Sequence, residues 1–381
     1  MSAERENRKR RNERIQRGLV SLVMFSLVAG GVVTYSMYQQ RKAAEAVIYE
    51  RNEQAESVPV YAEEPSDLEG LGDSELAFRS LIAARDDWQV QEDGTVIYQG
   101  KHYRRASFIK ATLAVGVDRK DGLGTGNDPL HSGQNDVDMI IAQDTAHNRI
   151  RILMIPRNAI VSMRVSDDNG IWQEGTAYDQ LCLAYAHGDG GETSVQNTLD
   201  AVTWTLCGTK LDYYAFTDMG ILGRVNDAVG GVTVTIPNDE LVKANPEWTK
   251  GRTVTLMGSE AERFIRYRDT DADNTALYRM QQHREYMVGF YDTLRAQARK
   301  DSSIVTELYD LISGDLISDL QKAEFLKLAM DGLNTGSLSG EDIITLPGAS
   351  IAADETYPWD RVFIDYTSAI PMILDMFYRE I

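Results

Sequence analysis

Three short apolar runs, each bounded by a charged residue, constrain this chain most. Asp118 ends the run 111–117, Asp138 opens the run 139–142, and Arg157 follows the run 150–156. Segments of that length, rich in Val, Ile and Leu and stopped by polar residues, read as strands. We expect strands over 111–117, 137–144, 150–155, 212–217 and 231–236, with a turn at 146–149 joining the second and third. Helical patterns lie among them at 194–206, 219–229 and 259–264, the last with Ser259 and Glu262 spaced as a capping box. From Thr275 to about residue 298, Leu277, Met280, Met287, Tyr291 and Leu294 recur at helical spacing, a stripe that reads as core. Residues 76–88 read as a short helix and 96–103 as a hairpin turning at Gly100. Toward the C-terminus, 320–333 and 366–377 read as helices around a strand at 343–346. Such alternation implies an α/β domain, with a central mixed β-sheet flanked by helices.

The first residues set a second constraint. Residues 18–40 carry no charge and are long enough to span a hydrocarbon core as one helix. Before them lie seven basic and three acidic residues (Arg5, Arg8, Lys9, Arg10, Arg11, Arg14, Arg17 against Glu4, Glu6, Glu13), a net of +4. That bias places the N-terminus in the cytoplasm and the rest of the chain outside. A cleaved signal peptide is the rival reading, with 44–46 as its cleavage site, but the apolar span is long for one and Arg41 and Lys42 intervene. We therefore expect a basic tail at 1–17, a transmembrane helix at 18–40, a polar stalk at 41–75 and an extracytoplasmic domain at 76–381. With −19 overall, removing the +4 tail leaves −23 on the remainder. So acidic a body argues against general nucleic-acid binding, which needs a basic face. Cys182 and Cys207 permit one disulfide outside the cell, or are two small core residues. No zinc spacing occurs.

Against that acidic background, an arginine group marks an anion site. Arg157 sits at a strand end, and Arg266 and Arg268 flank Tyr267. On an extended segment the two would share a face and present paired planar donors to phosphate oxygens. The alternative is a surface pair bridged to Asp269 and Asp271. Arg263 reads as surface. Asp118 at one strand end and Asp138 at the start of the next can meet at one sheet edge. Two carboxylates plus substrate phosphates are a common Mg²⁺ arrangement. Either aspartate alone would read as a turn or cap residue.

The order of these pieces resembles the LytR-CpsA-Psr family of membrane-anchored cell-wall enzymes. Gly116-Val-Asp118 is similar to its first aspartate motif, and Asp138-Met-Ile-Ile to the aspartate-led strand that follows. Ile155-Pro-Arg157-Asn resembles Ile-Pro-Arg-Asp, and Ala184-Tyr-Ala-His-Gly188 resembles Ala-Tyr-x-x-Gly. Val225-Asn-Asp-Ala-Val-Gly-Gly-Val-Thr-Val234, Phe264-Ile-Arg-Tyr-Arg268, and Arg279 with Gln281 and Gln282 complete the match, which covers about 107–300. The chain departs from the pattern at Asp136, where Arg is usual, at Asn158, where Asp is usual, and at Gln282-His283, where Arg-Gln is usual.

The resemblance implies transfer of an anionic glycopolymer from a polyprenyl-pyrophosphate carrier to peptidoglycan. It implies Mg²⁺ (Mn²⁺ as an alternative) on Asp118 and Asp138, and phosphate contacts from Arg157, Arg266, Arg268 and Arg279. It also implies an apolar cavity for the lipid tail. The alternatives are a non-catalytic polyprenyl-phosphate-binding envelope regulator, suggested by the departures, and a pyrophosphatase on the same lipid. The sequence identifies no general base.

Overall fold

The structure, a computed structural model, describes residues 81–119, 122–124, 133–167, 170–268, 275–353 and 357–381. The basic tail, the apolar span 18–40 and the stalk lie outside them, as do Asp269 and Asp271. Among the described residues no helix is long and apolar enough to cross a membrane. The sheet and every site residue below lie within one compact unit of the chain.

Six strands form the central sheet: β1 (Ile109–Val117), β2 (Asn135–Asp144), β3 (Arg149–Ile155), β4 (Tyr213–Asp218), β5 (Leu316–Ser318) and β6 (Ile343–Thr345). Their order is β5-β4-β1-β2-β3-β6. The β1–β4 and β3–β6 pairs are parallel, and the β1–β2, β2–β3 and β4–β5 pairs antiparallel. The sheet is therefore mixed, as the alternation predicts. The 145–148 turn between β2 and β3 uses Asn148 in the left-handed region (φ 51°), a conformation Asn tolerates better than most residues. At the expected hairpin, Gln99 and Gly100 both have positive φ (49° and 75°), the requirement of a two-residue turn that matches strand twist.

Helices cover both faces: α1 (Glu192–Thr205), α2 (Leu222–Ala228), α3 (Ser259–Arg266), α4 (Thr275–Lys300), α5 (Ser303–Ile312), α6 (Lys322–Leu333) and α7 (Tyr366–Phe377). Strand alternation sorts the side chains. Leu113, Val115, Ile140, Ala142, Leu153 and Ile155 share one core with Val195 and Val202 of α1 and Ile373 and Phe377 of α7. Ile152 and Met154 face the other way, clustering with Met280 and Met287 of α4. Phe264 of α3 and Leu308 of α5 belong to a third cluster, with Val137 packed against it. The expected core stripe of α4 is thus confirmed at Met280, Met287 and Tyr291 and at Leu294.

Three details differ from the sequence reading. The strand expected at 231–236 is Val232–Thr235, and it pairs with Thr253–Leu256 outside the central sheet. The Ser259–Glu262 capping box does not form, because the helix starts at Ser259 itself with Gly258 as its N-cap; instead the Met257 N–H donates to Glu260 Oε2 at 3.1 Å. Helix α5 and the hairpin of Ile160–Met163 with Ala177–Gln180 were not anticipated. Cys182 and Cys207 are buried free thiols, which settles them as core residues; burial pushes both up to about 11.

Strands β1, β3, β4 and β6 all end at one edge of the sheet, and β2 begins there. Edges of this kind are common ligand sites in α/β sheets.

Candidate phosphate-binding site

The start of β2, at this edge, is irregular. Gly116 pairs with Val137 but Val117 pairs with Asn135, so Asp136 is an extra residue with no partner on β1. A bulge of this kind bends its strand and re-aims side chains. Asp138 keeps the parity of Ile140 and Ala142. Asp136 reaches Arg279 on α4 instead.

Asp136, 8% exposed, holds two arginines on one oxygen: Arg157 Nε at 3.4 Å and Arg279 Nη1 at 3.5 Å from Oδ1. Arg157 also donates to the Asn135 carbonyl at 3.0 Å and to Gln134 Oε1 at 2.8 Å. The Gln134 carbonyl in turn accepts from the Asp118 backbone N–H at 2.8 Å, so Arg157 and Asp118 are tied to one residue. The loop behind Arg157 is fixed by the 184–188 segment and its approach: the Cys182 N–H donates to the Arg157 carbonyl and the Leu181 N–H to the Ala159 carbonyl, both at 2.8 Å. Tyr185, buried and stacked on Phe216, anchors that segment through its hydroxyl to the Gly190 carbonyl at 2.5 Å. Its motif is therefore scaffolding for Arg157.

Asp138 is 2% exposed. One oxygen accepts from Asn135 Nδ2 at 2.9 Å, while Oδ2 is buried with no hydrogen-bond partner. Burial raises its carboxyl to about 8, against the opposing pull of Arg157 and the Asn135 bond. Asp136, Asp138, Arg157, Asn158, Arg279 and His283 line one pocket of about 20 Å³, room for roughly one water. Burial pushes Arg279 down, and Asp136 opposes the shift.

The other two arginines are placed differently from expectation. Arg266 is the last residue of α3 and Tyr267 its cap, so 266–268 is not one extended segment and the shared-face argument fails. Arg266 pairs with Asp118, and with Glu262 at 3.2 Å. Arg268 pairs with Asp360 at 3.5 Å. The Asp360 carbonyl accepts from Asn158 Nδ2 at 3.2 Å and Gln180 Nε2 at 3.3 Å, which joins Arg268 to the loop after Arg157. Asp118 and Asp138 share the edge but make separate contacts, Asp118 to Arg266 and Asp138 to Asn135.

The Gln282-His283 departure also has a place. Oriented by its hydrogen bonds, the Gln282 amide donates to the Phe264 and Tyr267 carbonyls at 3.3 and 3.2 Å. His283 Nε2 donates to the Ile265 carbonyl at 3.1 Å. The last carbonyls of a helix lack intrahelical partners. Here α4 supplies them, fixing the turn that carries Arg266. Burial and the nearby Arg279 depress the His283 imidazole to about 4, against the opposing pull of the Ile265 bond, which favours the protonated ring. An unfolded histidine protonates below about 6.5 while this one does not. Its contribution is therefore intact above pH 6.5 and is lost as pH falls toward 4. We expect His283→Gln, which keeps a donor, to reduce the acid loss by about 2 kcal/mol at pH 5 (1.5 pH units at 1.36 kcal/mol each), read from denaturant unfolding at pH 7 and pH 5. Equal acid losses in the two proteins would refute this.

The profile of the LytR_cpsA_psr family matches residues 95–361. The chain belongs to the LytR_cpsA_psr family. A search of curated protein sequences found no match. Three solved structures are similar to this LytR_cpsA_psr member. Protein gbs0355 from Streptococcus agalactiae is 18% identical with a TM-score of 0.55, covering 70% of this chain and 87% of that chain. TagT bound to LI-WTA is 19% identical with a TM-score of 0.53, covering 71% and 90%. TagV from B. subtilis is 17% identical with a TM-score of 0.52, covering 71% and 98%. At such identities the likeness speaks for the fold alone.

Proposed function

We propose that the protein transfers an anionic glycopolymer from a polyprenyl-pyrophosphate carrier to peptidoglycan or another cell-wall acceptor, outside a membrane that residues 18–40 span. Family membership supports glycopolymer transfer in general, and TagT, of the same fold, has been solved bound to LI-WTA and LIIa-WTA. The observation that carries the reading is the convergence of Arg157 and Arg279 on one pocket at the sheet edge, with Arg266 and Arg268 tied to it through Asp118 and Asp360.

In this reading an acceptor hydroxyl attacks the glycan-linked phosphorus, a phosphodiester forms and polyprenyl phosphate leaves. Such transfer needs positioning and charge stabilisation more than covalent help from the protein. Guanidiniums suit it as planar, permanently charged donors. Arg266 and Arg268 reach the phosphates from the α3 terminus, Arg157 and Arg279 from the β3 loop and α4. Asp138 Oδ2, buried and without a partner, is an open oxygen donor that fits a divalent cation. Asp118 can share one while pairing Arg266. Among the described residues no group of three or more His, Cys, Asp or Glu could hold a metal, so the fit is to a Mg²⁺ that takes its remaining ligands from phosphate and water. Bound there, it would neutralise developing charge on the phosphates.

The test incubates the full-length protein in detergent with a polyprenyl-pyrophosphate-linked glycan, Mg²⁺ and peptidoglycan fragments. We expect labelled glycan on the acceptor, and its loss in Asp118→Asn with the fold kept. Binding without turnover would support the regulator reading, and phosphate release without transfer the pyrophosphatase.

A further inference from the structure

We propose that Asp136 is a specificity-determining residue, a resident anion that occupies Arg157 and Arg279 and must be displaced before a phosphate group can take both. The inference rests on the phosphate-binding reading above.

Both guanidiniums meet the same carboxylate oxygen, at 3.4 and 3.5 Å. Carboxylate and phosphate oxygens are interchangeable ligands for a guanidinium fork. The pocket these groups line holds about 20 Å³, one water's worth, and a phosphate group is several times larger. Phosphate therefore cannot enter between the two arginines while Asp136 stays there. Asp136 is skipped in the β1–β2 register, and the β2–β3 pairing begins only at Asp138. The backbone at Asp136 is therefore not tied to either neighbouring strand and can shift with its side chain, while a phosphate that takes both guanidiniums offsets the two ion pairs given up. Asp138, in contrast, sits inside the ladder opposite Val115 and Ile155.

A rival role predicts the opposite sign. If Asp136 served only to keep the two arginines from repelling each other, its loss would scatter them and weaken phosphate binding. A competitor's loss strengthens it.

The experiment is calorimetric titration of inorganic pyrophosphate into the full-length protein in detergent. Asp136→Asn should bind at least about tenfold tighter than wild type, the equivalent of one charge-assisted hydrogen bond no longer spent internally. Because removing one buried carboxylate unbalances the buried Arg279 and the partly buried Arg157, the same substitution is also made in an Arg279→Gln background, where one anion and one cation go together. There it should again bind tighter than Arg279→Gln alone. Equal or weaker binding in both comparisons overturns the inference while leaving the phosphate site intact. If wild type and every variant fail to bind pyrophosphate, the phosphate reading itself falls, and the inference with it.

Discussion

At pH 7.5 and without metal, Asp138→Asn should unfold at a higher temperature than wild type while losing glycopolymer transfer by on the order of 100-fold or more. The folded carboxyl stays protonated up to about pH 8, whereas an unfolded aspartate ionises above about 3.8. Folding must take up a proton at Asp138 across that interval, so the contribution of this group is fullest below about pH 4 and is lost as pH rises toward 8. From 3.8 to 7.5 the interval would be worth about 5 kcal/mol at 1.36 kcal/mol per pH unit. Asparagine has no charge to desolvate, and its oxygen can still accept the Asn135 bond. Its own unpartnered Nδ2 costs about 1–3 kcal/mol, so the net gain should be on the order of 2 kcal/mol. The clearest reading is the slope of thermal stability between pH 4 and pH 8 in EDTA, flatter in the variant than in wild type. An unchanged slope, or a variant less stable at pH 7.5, would overturn the burial argument. A stabilised but inactive enzyme is the expected mark of a group kept for function at the expense of folding.

The four arginines should separate into two classes. Arg279 is 8% exposed and balances Asp136 inside the pocket. Arg279→Ala should therefore cost about 3 kcal/mol, because breaking a buried pair strands its partner. Arg268, in a half-exposed pair with Asp360, should cost under about 1 kcal/mol on truncation. Binding should not follow that division. Each variant should lose about tenfold or more in affinity for a polyprenyl pyrophosphate, from one charge-assisted hydrogen bond of about 1.5–3 kcal/mol. Arg266→Lys should also weaken binding, since lysine lacks the planar fork. Denaturant unfolding alongside lipid titration separates the two effects. If Arg268→Ala binds lipid as wild type does, its pair with Asp360 is only structural.

Much of the frame was legible because it rests on local patterns. The runs around Leu113, Ile140 and Leu153 lie within strands, and 366–377 is helical to the residue. The arginine group was visible in charge alone, and the structure brings Arg157 and Arg279 together on one pocket. The details of the site were not, because each depends on register or on distant packing. Whether 266–268 is strand or helix end turned on Gln282 and His283 satisfying the α3 carbonyls from another helix. Asp360 reaches Arg268 and the Asn158 loop from far along the chain, and no local signal marks it. Asp136 read as a departure from a pattern. That it gathers Arg157 and Arg279 follows from one unpaired residue in β2, which side-chain identity does not announce. The clustering of Asn135, Asp136 and Asp138 at a strand start was the available hint.

That unpaired residue has a consequence for how such a site can change. Most positions in a sheet are committed, since a new side chain on one face must displace core neighbours. Asp136 lies outside the ladder and away from the core of Ile140, Leu113 and Leu153, so what constrains its identity is the charge of Arg157 and Arg279 rather than the packing of that core. If Asp136 competes with phosphate as proposed, the bulge is a tuning position, where the appetite of a fixed scaffold for anions would be raised or lowered by a single codon.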